Sequence, residues 1–363
     1  MLVWSACDND LYACCINDVD KMERGVSEEI KVLAQVDHRP NPDSSGPHTV
    51  HRLELVNDHQ PKLNSKLHKD LGDADMADPA NLSDFVRWGM KNFPAEKYWL
   101  IISDHGDAWK GASEDEGHRS WMSLPQIRQA LEEARKETGR GFDLLSFDCC
   151  HMASVEVAHE LKNESRYLLA SQEVMGYLGL PYQELMTSLA DKSPEEVVRE
   201  VVESSRANPE DIPTFSAVDL EKIPALTQAL GKLGQAIVEA PVAGSELRGA
   251  VGETQSFWEY RDVHHLAENL GKLSSSLAEP AREVQAALES AVVAEQHAIS
   301  HPNSHGLQIE VHPDSEQSRQ LRYQRGAVNR EDTRPWKTEQ GSYAETAFAR
   351  ETGWTQVIDK IHS

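Results

Sequence analysis

The sequence predicts an α/β protein: a mostly parallel sheet covered by helices, followed by a mainly helical C-terminal part. Three observations carry this. Unbroken apolar runs recur through the first part of the chain, helical periodicity fills most of the gaps between them, and strand-like runs nearly cease after about residue 220. Strands covered on both faces are continuously apolar, whereas strands with one wet face alternate.

The expected strands are "LVWSA" (2–6), "IKVLAQV" (30–36), "TVHRLELV" (49–56), "YWLIIS" (98–103), "FDLLSF" (142–147) and "RYLLAS" (166–171). Between them, 81–93 repeats its apolar residues at Leu82, Phe85, Val86 and Met90, with Pro79 and Asn81 at its start. Residues 124–137 repeat at Leu124, Ile127, Leu131 and Ala134, and 153–161 follows directly on a strand. Spacings of three and four are those of one helix face. Beyond 220, the stretches 223–240 and 262–296 predict helices, "GLQIEVHP" (306–313) a strand, and 314–345 a long polar surface segment. The expected plan is a core over 1–220 and a helical region over 221–363 that returns one strand, 306–311, to the sheet.

Composition narrows the function. Of 363 residues 39% are hydrophobic, enough for a sizeable core. Sixty acidic against 36 basic residues give a formal charge of −24, which repels nucleic acid and anionic membrane and attracts cationic ligands. No stretch approaches the roughly 20 apolar residues of a membrane span. Met1 leads directly into "LVWSACDND" without a signal region, so the expectation is a soluble protein, cytoplasmic or secreted after removal of a leader.

The five cysteines, Cys7, Cys14, Cys15, Cys149 and Cys150, are odd in number and clustered, unlike a secreted disulfide framework. Adjacent cysteines bridge each other badly, so the Cys149–Cys150 pair holds either a reactive residue or two small core residues. Ligands beyond a parallel sheet sit at the carboxyl ends of its strands. Two successive strands end in unusual chemistry there: "YWLIIS" in Asp104-His105-Gly106-Asp107, and "FDLLSF" in Asp148-Cys149-Cys150. A thiol between strand and helix is expected to feel the helix dipole and ionise readily. A neighbouring histidine serves as general base and then acid, and the Gly106 amide with that of the nucleophile forms an oxyanion hole. This suggests acyl transfer. His105 taken alone is equally a surface histidine, and Asp148 equally a helix cap.

"LIISDHGDAWKG" followed by "FDCCHMASVEVAHEL" resembles the clostripain family of cysteine peptidases, relatives of caspases, legumains and gingipains. "LGDADMADPANLSDFVRW", "LLASQEVMGYLGLPY" and "FSAVDLEKIPAL" extend the likeness along nearly the whole chain. The resemblance implies a caspase-like fold and an endopeptidase with a Cys–His dyad. The nucleophile carries over to Cys150, with Cys149 in place of a buried alanine, and the histidine to His105. Asp148 lines a pocket for a basic side chain, which implies cleavage after Arg or Lys, and Glu173 supports that pocket. The chain departs from the family at Asp107-Ala108, at Gly179-Leu180-Pro181-Tyr182 and at His151, which bears on substrate preference. Relatives cut themselves between histidine and cysteine; 104–120 is the expected irregular loop, with Arg119 and Lys110 as candidate sites. Some relatives need calcium, and Asp8, Asp10, Asp73, Asp75, Asp78, Glu114, Asp115 and Glu116 are the acidic groups on offer, without EF-hand spacing. No metal ligand set is assigned. The rival readings are a catalytically silent peptide-binding relative and a metal or redox protein using Cys149, Cys150 and His151.

Overall fold

The computed structural model describes residues 1–38, 48–57, 65–188, 191–312 and 341–363. At the middle of the sheet lie β1 (Leu2–Ser5), β2 (Leu33–His38), β5 (Trp99–Ser103), β8 (Phe142–Asp148) and β9 (Ser165–Ala170), all parallel to their neighbours in that set. Antiparallel strands extend both edges: β3 (Thr49–Glu54) and β4 (Lys66–Asp70) on one side, β10 (Thr214–Asp219) and β13 (Val292–His297) on the other. The nine-stranded order is β13-β10-β9-β8-β5-β1-β2-β3-β4. Every residue of β4 is exposed, and its Lys66, His68 and Lys69 suit an edge that must not recruit another strand.

Strand side chains alternate between two buried clusters, one on each face. Leu2, Trp4, Leu100, Ile102, Leu145 and Phe147 face one cluster; Val3, Trp99, Ile101 and Leu144 face the other. The first is covered by α2 (Pro79–Asn92), α3 (Leu124–Thr138), α4 (Val155–Leu161) and α7 (Ile223–Glu239). The second is covered by α1 (Tyr12–Gly25), α5 (Tyr182–Ser188) and α6 (Pro194–Ser205). The starts follow local chemistry. Asp78 caps α2 by accepting from the Ala80 amide, with Pro79 in the first turn, and Ser123 with Gln126 closes a capping box on α3. Gly139, left-handed at φ +80°, ends α3.

The C-terminal region holds α8 (Gly244–Glu253), α9 (Val263–Gly271), α10 (Ser275–Ala291), α11 (Ala347–Thr352) and α12 (Trp354–Ile361). Leu277, Val284, Trp354 and Val357 join the same buried cluster as Leu2 and Phe147, so this region packs on the face that carries α2 and α3. Two expectations need correcting here. The helical stretch expected over 262–296 is two helices, the second capped by Ser274, and it ends at Ala291 rather than 296; the β-branched pair Val292–Val293 opens β13. The strand returned to the large sheet is thus β13. Within the expected 306–311, only β14 (Gln308–Ile309) is a strand, and it pairs with β12 (Tyr260–Asp262) beside β11 (Ser256–Phe257) in a separate small sheet. Of the polar segment 314–345, residues 314–340 lie outside the described residues, whereas Tyr343–Glu345 form a 3-10 turn with Tyr343 buried. Among the described residues, no helix is long and apolar enough to cross a membrane.

Candidate active site

The site is built where β5 and β8 leave the sheet side by side. Ser103 pairs with Asp148, and the Asp104 amide donates to the Asp148 carbonyl at 3.3 Å. His105 and Cys150 therefore occupy equivalent positions just past the paired ends. Gly106 fixes how closely they approach: a Cβ on it would lie 2.7 Å from the Cys150 carbonyl oxygen and 2.8 Å from Cys149 Cβ, so only glycine fits. Among the described residues, neither the Gly106 nor the Cys150 amide donates a hydrogen bond to the protein.

His105 Nε2 lies 2.7 Å from Asp10 Oδ1, in the turn between β1 and α1. Sequence reasoning placed Asp10 only among acidic groups; its distance from His105 in the chain hid this partnership. Asp104 is buried behind the histidine, accepting from Asn9 Nδ2 at 2.6 Å and from the Glu114 amide. Burial pushes its carboxyl up to about 7, against the pull of His105 and these donors.

The two cysteines differ. Cys149 is 2% exposed, its thiol donates to the Ile102 carbonyl at 3.3 Å, and burial pushes its pKa well up. Cys150 is half-buried, with Sγ 4.0 Å from the Met175 carbonyl oxygen. All five cysteines are free. The expected dipole activation of Cys150 is overturned. Helix α4 starts only at Val155, capped by Ser154 accepting from the Val157 amide, and a turn with His151 at φ +63° separates it from the cysteine. The dipole acts only over the first turn. Instead burial, then the charges of Glu173, Asp148 and Asp107, push the Cys150 thiol up to about 11.

Asp148 does not cap α4, since Ser154 does. Its Oδ2 accepts from the Tyr182 hydroxyl at 2.7 Å. Asp18 of α1 shares its surroundings: burial, then the Asp148 charge, push Asp18 up to about 8, against Lys21, whose Nζ is 2.7 Å away. Burial raises Asp148 too. Glu173 is turned elsewhere, with Oε2 3.2 Å from His301 Nε2 and Oε1 accepting from the Val174 amide. It reaches Cys150 through its charge.

The region after 220, expected only to pack, forms one side of the site. His151 is buried between Trp258 and Tyr260 at centroid distances of 5.8 and 5.7 Å. The Tyr260 hydroxyl donates to Asp107 Oδ1 at 2.7 Å. Burial works against ionisation of Asp107, but Lys110 and Tyr260 outweigh it and hold the carboxyl at about 2.

The expected irregular loop 104–120 is largely ordered. A 3-10 turn (Ala108–Lys110) leads into an antiparallel hairpin of β6 (Ala112–Asp115) and β7 (Ser120–Met122). Arg119 sits exposed at the hairpin tip with φ +54°. Lys110 is tied down: its Nζ binds Asp107, its carbonyl accepts from Trp121 Nε1 at 2.9 Å, and Gly111 after it is buried.

Of the acidic groups offered for calcium, Asp8 lies with Asp37 and His48, and Asp75 and Asp115 lie with His118. Both clusters combine two carboxylates with an imidazole, a set better matched to a transition metal than to calcium, which takes about six to eight oxygens. The carboxylates also serve the protein: Asp115 accepts from the Met76 and His118 amides, and Asp75 from Ala77 and Ser120.

A sequence model of the clostripain family matches residues 3–359. Clostripain of Hathewaya histolytica is 22% identical over 308 residues, which cover 74% of this chain and 54% of that protein, so the chain spans about half the length of the curated relative it matches. The structure of a secreted C11 cysteine protease from Bacteroides thetaiotaomicron, in complex with an irreversible peptide inhibitor, superposes with a TM-score of 0.68 at 18% identity, over 97% of this chain and 98% of that one. An inactive zymogen C11 protease from Parabacteroides distasonis does so with 0.67 at 17%, over 97% and 96%. The mostly parallel sheet flanked by helices is the caspase-like fold these structures have in common with it. Matched from its first strand to its last helix, the chain belongs to the clostripain family of cysteine peptidases.

Proposed function

We propose that this protein is a cysteine endopeptidase that cleaves after arginine or lysine, with Cys150 as nucleophile and His105 as base and acid. The observation that carries the reading is the pairing of the two strand ends. It supports the reading by putting His105 and Cys150 at equivalent positions past the paired ends, with Gly106 close against the cysteine backbone and, among the described residues, the Gly106 and Cys150 amides undonated.

In this reading a peptide carbonyl enters between Sγ and the Gly106 and Cys150 amides. His105 takes the thiol proton as sulfur attacks, and Asp10 steadies the imidazolium formed. The two amides hold the oxyanion. As the C–N bond breaks, His105 returns the proton to the leaving amine and a thioester remains. Water, deprotonated by His105, attacks the thioester, and the thiol leaves with that proton. Because burial and nearby carboxylates keep the thiol neutral, ionisation accompanies attack rather than preceding it. Asp148 receives the basic side chain through charge-assisted hydrogen bonds, and the −24 net charge draws basic substrates in.

The test is hydrolysis of fluorogenic peptides bearing Arg, Lys, Asp or Leu before the scissile bond, by wild type, Cys150→Ala, Cys149→Ala and His105→Ala. Activity on Arg or Lys peptides that survives Cys149→Ala and vanishes in the other two variants is expected. Loss only with Cys149→Ala would move the nucleophile by one residue. No hydrolysis by wild type, before or after limited proteolysis, would leave a silent peptide-binding relative.

A further inference from the structure

Asp148 is not the only carboxylate at the pocket. Asp18, whose side chain is 7% exposed, lies close enough for the two charges to oppose each other. It holds Lys21 Nζ at 2.7 Å, and that ammonium also donates to the Leu178 carbonyl, in the segment joining β9 to α5. The same segment begins against the nucleophile, where the Met175 carbonyl meets Cys150 Sγ at 4.0 Å. It then passes Gly179, at φ +59°, where a Cβ would run into the Asp18 carboxylate. This segment thus runs from Cys150 to Asp18, strapped down by Lys21, with Tyr177 and Leu178 standing out at 68% and 52% exposure.

A charge count gives Asp18 its meaning. Asp148 and Lys21 alone would cancel and leave nothing to attract a cation. With Asp18 ionised, as it is once an entering cation has expelled the shared proton, the group carries one net negative charge, which a single arginine or lysine side chain neutralises. We propose that Asp18 is a specificity-determining residue: it takes up the charge of Lys21, so that Asp148 stays available to the basic side chain of a peptide substrate. The inference rests on the peptidase reading above and deepens it.

Asp18 faces Asp148 from β8, Tyr182 from α5, and Lys21 and Cys14 from its own helix. The Tyr182 and Cys14 groups are both raised and stay neutral near pH 7, which leaves the carboxylates as the groups that exchange a proton. An empty pocket retains a proton between them, and an entering guanidinium expels it. Binding of basic substrates therefore strengthens as pH rises toward 8 and above.

The experiment compares matched peptides with arginine or its neutral isostere citrulline before the scissile bond, for wild type, Asp18→Asn, Lys21→Gln and the double variant. Asp18→Asn is expected to raise KM for the arginine peptide about tenfold or more, with kcat and the citrulline peptide little changed. Lys21→Gln lowers KM for arginine, and adding it to Asp18→Asn restores most of the loss. A purely structural role for Asp18 would not be rescued by removing the lysine charge. An arginine-preferring wild type with Asp18→Asn unchanged, or a double variant no better than Asp18→Asn, or Lys21→Gln without effect, overturns this inference alone. A wild type that does not prefer arginine to citrulline overturns the basic-pocket reading and this inference with it.

Discussion

With its pKa at about 11, the Cys150 thiol is expected to be almost entirely protonated in the free protein, and alkylation tests this directly. At pH 7 a thiol of that pKa is ionised in about one molecule in 10,000, against about 3% for an ordinary cysteine near 8.5. Ionisation alone would slow iodoacetamide about 300-fold. A more basic thiolate is also the better nucleophile, and a Brønsted slope of about 0.4–0.5 over ~2.5 units returns roughly tenfold. The net expectation is alkylation about 30-fold slower than that of an exposed thiol, rising close to tenfold per pH unit from 7 to 10. Mass spectrometry of the peptide 141–162 reads the modification, in the Cys149→Ala background because both cysteines lie on that peptide. Glu173→Gln, which removes the charge acting most strongly on the thiol after burial itself, shifts the profile to lower pH. A plateau already at neutral pH would mean a preformed thiolate–imidazolium pair, and would refute the argument that burial and acidic neighbours dominate this site.

Three further outcomes follow from other parts of the molecule. Gly106→Ala forces a methyl group to within 2.7 Å of the Cys150 carbonyl oxygen and should lower kcat about 10²-fold or more with the fold intact by circular dichroism; full activity would mean the two strand ends are not held as described. If the protein cuts itself, mass spectrometry should place the cut after Arg119 and Arg119→Gln should block it, whereas Lys110→Gln should not, because the Lys110 carbonyl is held by Trp121. His159 is buried and neutral, accepting from Lys162 Nζ at 3.1 Å, and burial lowers its pKa from 6.5 to about 4. The folded state therefore binds fewer protons than the unfolded one, and this stability, full above pH 6.5, is lost as pH falls toward 4. The loss is about 3 kcal/mol; denaturant unfolding of wild type and His159→Gln between pH 7 and 4 should differ by that slope, and parallel profiles would disprove it.

The residues alone determined the central strands, most flanking helices and the meeting of two strand ends, because apolar runs, helical spacing and caps act over a few neighbouring residues. Register then does the rest: once β5 and β8 pair in parallel, His105 and Cys150 must lie at the same level. Likewise Cys149, a residue between a buried strand and a turn, has nowhere to go but the core. Tertiary structure alone decided the ionisation of Cys150, since that depends on where α4 starts and on which carboxylates converge, not on the motif. It also decided the partners. Asp10 meets His105 from 95 residues away, and Tyr260 meets Asp107 across 153, separations over which no local pattern carries information. Strand β13 belongs to the same class: Val292–His297 follows a helix with no Gly, Pro or cap between them, the β-branched Val292–Val293 pair alone favours an extended form, and only the open edge of β10 gives its backbone amides and carbonyls partners there.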